Sequence, residues 1–124
     1  MKTLELTIGK TVYEFKAGIG FMRDINDRIK QDVQSMKGVQ NSVGLRYYTA
    51  LLIDGDIDAL IEILWCMNKG FDPRVTKDIL EGYIEEVEDI DELFNKVLDF
   101  LSQSNACRKT VTTVIEAANK LADQ

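Results

Sequence analysis

TLELTIGKTVYEFK, residues 3–16, decides the fold. Each half alternates apolar and polar side chains, as half-buried strands do, and Gly9-Lys10 between them makes a two-residue turn in which glycine is free to take positive φ. So short a loop fixes the register. Leu4 then faces Phe15 and Leu6 faces Tyr13 on one side, while Glu5 faces Glu14 on the other. Facing carboxylates repel mildly and belong in water. The ribbon therefore has one apolar side, and because a lone two-stranded hairpin is marginal in water, that side must lie on helices.

Helical spacing takes over from there. Ala17-Gly18-Ile19-Gly20 lets the chain leave the ribbon, and Phe21, Met22, Ile25, Ile29, Val33 and Met36 recur with the period of a first helix. Lys37-Gly38-Val39-Gln40 breaks it, and a second helix starting at Asn41 or Ser42 carries Leu45, Tyr48, Leu51 and Leu52. Asp54-Gly55-Asp56 is a turn, with Asp56 as N-cap of a third helix. That helix, Ile57 to Met67, is apolar nearly all round and belongs at the centre. Gly70 stops it. Thr76 caps a fourth helix, with Val75 and Leu80 as hydrophobic staple and Ile79, Leu80, Tyr83 and Ile84 as inner face. Asp89 caps a fifth, with Glu92 in the capping-box position, and its stripe is Ile90, Leu93, Phe94, Val97, Leu98 and Leu101. Ser104 or Asn105 starts a last helix bearing Val111, Val114, Ile115, Ala118 and Leu121. The expected fold is α+β, mostly α: a hairpin over 1–16 packed on a compact bundle of five to six helices over 18–124, in one domain.

At 124 residues, with 45% hydrophobic and 29% charged side chains, the chain has the makeup of one soluble globular domain. A net charge of −6 argues against nucleic acid, whose phosphates are bound by Lys and Arg. No apolar run reaches the length that crosses a bilayer, so no membrane is expected. Met1-Lys2 leads directly into a strand, which predicts no secretory signal and two reduced thiols, Cys66 and Cys107, in a cytoplasm.

Several motifs resemble chemistry without completing it. Gly9-Lys10-Thr11 ends like a phosphate loop, but Leu4 stands where the signature needs glycine, and the loop joins two strands. Gly18-Ile19-Gly20 lacks the third glycine of a dinucleotide fingerprint, since Arg23 occupies that place. Asp54, Asp56 and Asp58 open like a calcium loop, yet Ala59 and Trp65 replace its glycine and bidentate glutamate. No histidine exists to serve as general base or metal ligand. Cys66 sits in the most apolar helix, where burial silences a thiol, and Cys107 beside Arg108 and Lys109 is the better thiolate candidate. No catalytic, cofactor or metal site is expected. The run Glu85, Glu86, Glu88, Asp89, Asp91 and Glu92 holds six acids and no base, and reads as a solvated helix junction or a docking patch for a basic partner.

Three segments carry a family resemblance. LELTIGKTVYEFKAGIGFMRDIN, then LIDGDIDALIEILWCMNKG with DPRVTKDILEGYIEE, and finally DIDELFNKVLDFLSQSNACRKTV are similar to the tail assembly chaperones of long-tailed phages and prophages of Gram-positive bacteria. The stretch from Val33 to Val43 matches less clearly. The resemblance implies a non-enzymatic protein of the host bacterial cytoplasm. Such a protein binds the aggregation-prone tape-measure protein during tail morphogenesis and is shed before the virion is complete. It also implies self-association, and a longer frameshifted form that recruits the tail-tube protein.

A chaperone for a helical client needs apolar stripes at helical spacing. The candidate client or partner residues are Ile63, Trp65 and Met67 on an exposed side of the third helix, and Leu93, Phe94, Val97 and Leu101 on the fifth. Ordinary core packing is the competing reading of both stripes. At the level of function, the alternatives are a structural head–tail connector or tail-terminator-like component that stays in the particle, and a small regulator docking through the acidic junction.

Overall fold

The computed structural model describes residues 2–29 and 43–122. Strands β1 (Leu4–Ile8) and β2 (Thr11–Phe15) pair antiparallel with Leu4 opposite Phe15, Glu5 opposite Glu14 and Leu6 opposite Tyr13. Gly9 takes φ +66°, as the turn demands. Leu6, Tyr13 and Phe15 are buried, and Phe15 is fully enclosed. Removing a phenylalanine of that kind from water contributes about 2–3 kcal/mol. The apolar side of the ribbon is thus part of the core.

Six helices follow: α1 (Ile19–Arg28), α2 (Val43–Ile53), α3 (Ile57–Met67), α4 (Lys77–Glu86), α5 (Ile90–Ser102) and α6 (Arg108–Ala122). Helix α3 is central, with Ala59, Leu60, Ile61, Ile63, Leu64, Cys66 and Met67 all buried. Its cap is Asp56, whose Oδ1 accepts from Ala59 N at 2.8 Å. That role occupies the acid which imitated a calcium ligand. Thr76 Oγ1 accepts from Ile79 N at 3.1 Å to start α4, and Asp89 Oδ1 accepts from Glu92 N at 3.0 Å to start α5.

Two helix boundaries differ from the spacing. Helix α1 ends at Arg28, with Ile29 already extended. Val33 and Met36, and the Asn41 or Ser42 start of the second helix, lie outside the described residues. The helix stops where α2 crosses it. Asn26 there accepts from Ile29 N on its backbone carbonyl at 3.4 Å and from Leu45 N on its side-chain Oδ1 at 2.8 Å, capping its neighbour. Gly44 presses against the same turn: a Cβ there would overlap the Ile25 carbonyl oxygen and stand 2.6 Å from Asn26 Cα. At the other boundary, Ser104 opens a turn rather than α6, which begins at Arg108. The Ser104 hydroxyl donates to the Ala17 carbonyl and so ties this turn to the exit of the ribbon.

The ribbon is fastened to the far end of α3 by one side chain. Asn68, 0% exposed, donates through Nδ2 to Glu14 O at 2.8 Å and Pro73 O at 3.4 Å. Its Oδ1 accepts from Val75 N at 2.7 Å and Arg74 Nη1 at 3.0 Å. A backbone bond from Lys16 N to Met67 O at 2.8 Å completes the attachment.

Candidate interaction surface

Seven buried residues leave α3 a single large side chain toward solvent near its C-terminal end: Trp65 is half-buried. Four cations gather on its ring. Arg74 lies 4.4 Å from the indole centroid, Lys77 4.9 Å, Lys69 5.1 Å and Arg28 5.6 Å. They come from four places in the chain: the end of α1, the residues just past α3, the loop before α4 and the first residue of α4. Arg74 is held in position by donating Nη1 to Trp65 O at 2.8 Å.

Two carboxylates balance the cluster in part. Glu62, one turn before Trp65, takes Arg28 on one oxygen and Lys77 on the other, the latter at 2.5 Å. Lys69 reaches Asp24 at 2.6 Å. Arg74 makes no ion pair among the described residues. Four positive charges against two negative ones leave a local excess of cation on a chain of net −6. Pairs this exposed stabilise the fold by only about 0–1 kcal/mol each, so stability does not account for the cluster. An indole face strengthens cation binding.

Of the sequence-derived candidates, Trp65 alone reaches this surface. The expectation that Ile63 and Met67 stand on an exposed side of α3 is corrected: they are 0% and 1% exposed and pack in the core. Leu93, Phe94, Val97 and Leu101 are buried as well. Their stripe faces the molecule's own centre, as an amphipathic helix commonly does. Phe94 and the half-buried Leu98 still line a groove of about 600 Å³ together with Leu52, Ile115 and Ala118, where α2, α5 and α6 meet. The basic cluster was not anticipated. Glu62, Trp65 and Lys69 share a helix face by spacing, and Arg74 and Lys77 follow closely. Arg28 joins them only through the fold.

The thiols are both free and buried. Burial pushes Cys66 and Cys107 above the ordinary thiol range, although Arg28 and Lys69 draw the first down and a hydrogen bond with Ser104 the second. This corrects Cys107 as a thiolate candidate: Arg108 and Lys109 are exposed, while its sulfur is enclosed. Native protein at pH 8 should therefore resist iodoacetamide at both cysteines and react at both in denaturant, as intact mass will show. The folded state keeps these protons longer than the unfolded chain. Stability is thus retained below the ordinary thiol pKa of about 8.5 and lost as pH rises beyond it.

The residues that make these features fall inside one family. A model described as "Phage tail assembly chaperone protein, TAC" matches residues 5–116. The chain belongs to the phage tail assembly chaperone family. The matched span runs from β1 into α6 and takes in the hairpin, the Asn68 attachment, the Trp65 cluster and the acidic turn between α4 and α5. No curated protein and no solved structure matches this phage tail assembly chaperone. Among its described residues no helix is long and apolar enough to cross a membrane.

Proposed function

We propose that this protein binds the tape-measure protein in the host cytoplasm, keeps it soluble while the tail is built, and is shed before the virion is finished. It acts by binding, without catalysis and without a cofactor, and it works in multiple copies. A longer frameshifted form recruits tail-tube subunits in the same scheme. Membership of the tail assembly chaperone family over residues 5–116 carries this reading.

The groove among α2, α5 and α6 supports it as the client face. Its floor is apolar through Phe94, Leu98 and Ile115, and its rim is polar through Asp91, Asn95 and Asp99. A helical client laid there buries one stripe and keeps its polar side wet. Co-expression with the tape-measure protein of the same genome tests the proposal. The expected result is soluble tape measure that co-purifies with this protein, together with absence of this protein from purified virions by mass spectrometry. Leu98→Glu, at a half-buried position on that groove, should leave the melting temperature near wild type and return the tape measure to the insoluble fraction. Insoluble tape measure beside wild-type protein, or stoichiometric protein in the virion, overturns the reading.

A further inference from the structure

The acidic turn and the basic cluster mark opposite ends of one helix. Lys77, the first residue of α4, lies on Trp65, whereas Glu85 and Glu86 are its last two residues and lead into Glu88, Asp89, Asp91 and Glu92. All six acids are exposed, and none has an ion-pair partner among the described residues. Lys77 at the N-terminus of α4 and Glu85 and Glu86 at its C-terminus oppose its dipole, so these three charges are not placed for the stability of α4, whereas Asp89, Asp91 and Glu92 also suit the start of α5. Ten residues of helix span about 15 Å. That exceeds the screening length of about 8–10 Å at physiological salt, so the two ends do not neutralise each other within one molecule.

The acidic end is also concave. Tyr83, Val87 and Leu93, three acids (Glu88, Asp89 and Glu92) and one cation, Lys96, line a cleft of about 290 Å³ at the acidic end. Burial, and then the Glu92 carboxylate, holds the Tyr83 phenol above its ordinary pKa, so the cleft presents a neutral ring among three carboxylates and the single Lys96 ammonium. The opposite end presents an indole set among ammonium and guanidinium groups, with Arg74 free of any carboxylate among the described residues.

We propose that the Trp65 cluster docks the acidic α4–α5 turn of a second copy of this chain, head to tail. The cations of one copy enter the acidic cleft of the next, and each molecule keeps one face of each sign available. Such a contact is heterologous: it joins unlike patches and builds rings or open arrays rather than a two-fold dimer. The inference rests on the reading that the protein works in multiple copies, and it names the interface.

Sedimentation velocity on the full chain at low salt tests it. Wild type should form species larger than a monomer, and these should dissociate as salt rises from about 50 to about 500 mM, because the contact is ionic. Lys69→Glu/Lys77→Glu and Glu85→Lys/Glu88→Lys should each sediment as a monomer with an unchanged circular dichroism spectrum. Mixing the two variants should restore association, since an intact acidic turn then meets an intact basic cluster. Association of either variant like wild type, or no complex in the mixture, overturns the interface while leaving self-association standing. A wild type that stays monomeric at low salt overturns both. Neither result touches the chaperone reading, which stands or falls on tape-measure solubility.

Discussion

Asn68→Ala should be the most destabilising single change in the ribbon's attachment, lowering the stability of the whole domain by about 3–5 kcal/mol. The side chain is fully buried and makes four hydrogen bonds. Its truncation leaves Glu14 O and Val75 N without those partners, and each buried unsatisfied group costs about 1–3 kcal/mol. A cavity is added at the end of α3. Small domains are stable by only about 5–15 kcal/mol, so the loss is a large share of the total. Urea unfolding followed by tryptophan fluorescence will measure it, because Trp65 lies three residues away on the same helix end. Asn68→Asp is the informative companion. It preserves the shape and the acceptor for Val75 N but replaces the donor facing Glu14 O with a carboxylate oxygen, so it should recover little. A midpoint for Asn68→Ala within error of wild type would falsify the attachment as described.

Gly44→Ala should destabilise by about 3 kcal/mol, at the upper end of what overpacking produces. Alanine is ordinarily the better helix residue, by about 1 kcal/mol over glycine, so propensity alone predicts the opposite sign. The contact decides. The added methyl meets backbone on α1, at the Ile25 carbonyl and Asn26 Cα, and backbone has no rotamer with which to retreat. The helices must separate, which also pulls Leu45 N from Asn26 Oδ1. Gly82 lies within α4 with nothing within 4 Å of its Cβ position, so Gly82→Ala is the control and should stabilise slightly. Thermal melts of the two variants therefore move in opposite directions. A stabilised Gly44→Ala protein would mean that the close crossing of α1 and α2 is absent in solution.

The hairpin and the caps were legible because each is local. Register follows from a two-residue turn, and Asp56, Thr76 and Asp89 announce helices within four residues of themselves. The central place of α3 was equally readable, since a helix apolar all round has nowhere else to go. What the sequence concealed depends on distance along the chain. Asn68 looks like an ordinary polar residue after a helix, and nothing nearby signals that Glu14, 54 positions earlier, needs its donor. The Trp65 cluster hid for the same reason, because Arg28 belongs to it only once α1 has crossed. Hydrophobic stripes misled about exposure: spacing reports which residues share a face, not whether that face meets solvent. Ile63, Met67, Val97 and Leu101 went to the core, while Trp65 stayed half-buried and Phe94 lines the groove among α2, α5 and α6.

The crossing of α1 and α2 also bears on how such chains vary. Asn26 holds Leu45, and Gly44 rests on Ile25, so α1 and α2 are pinned to each other at their crossing. The entropy of closing a segment grows slowly with its length, by about 0.6 kcal/mol for each doubling. The crossing therefore holds through its own contacts, and a related chain that joins α1 to α2 by a segment of another length keeps it as long as Asn26 and Gly44 are kept.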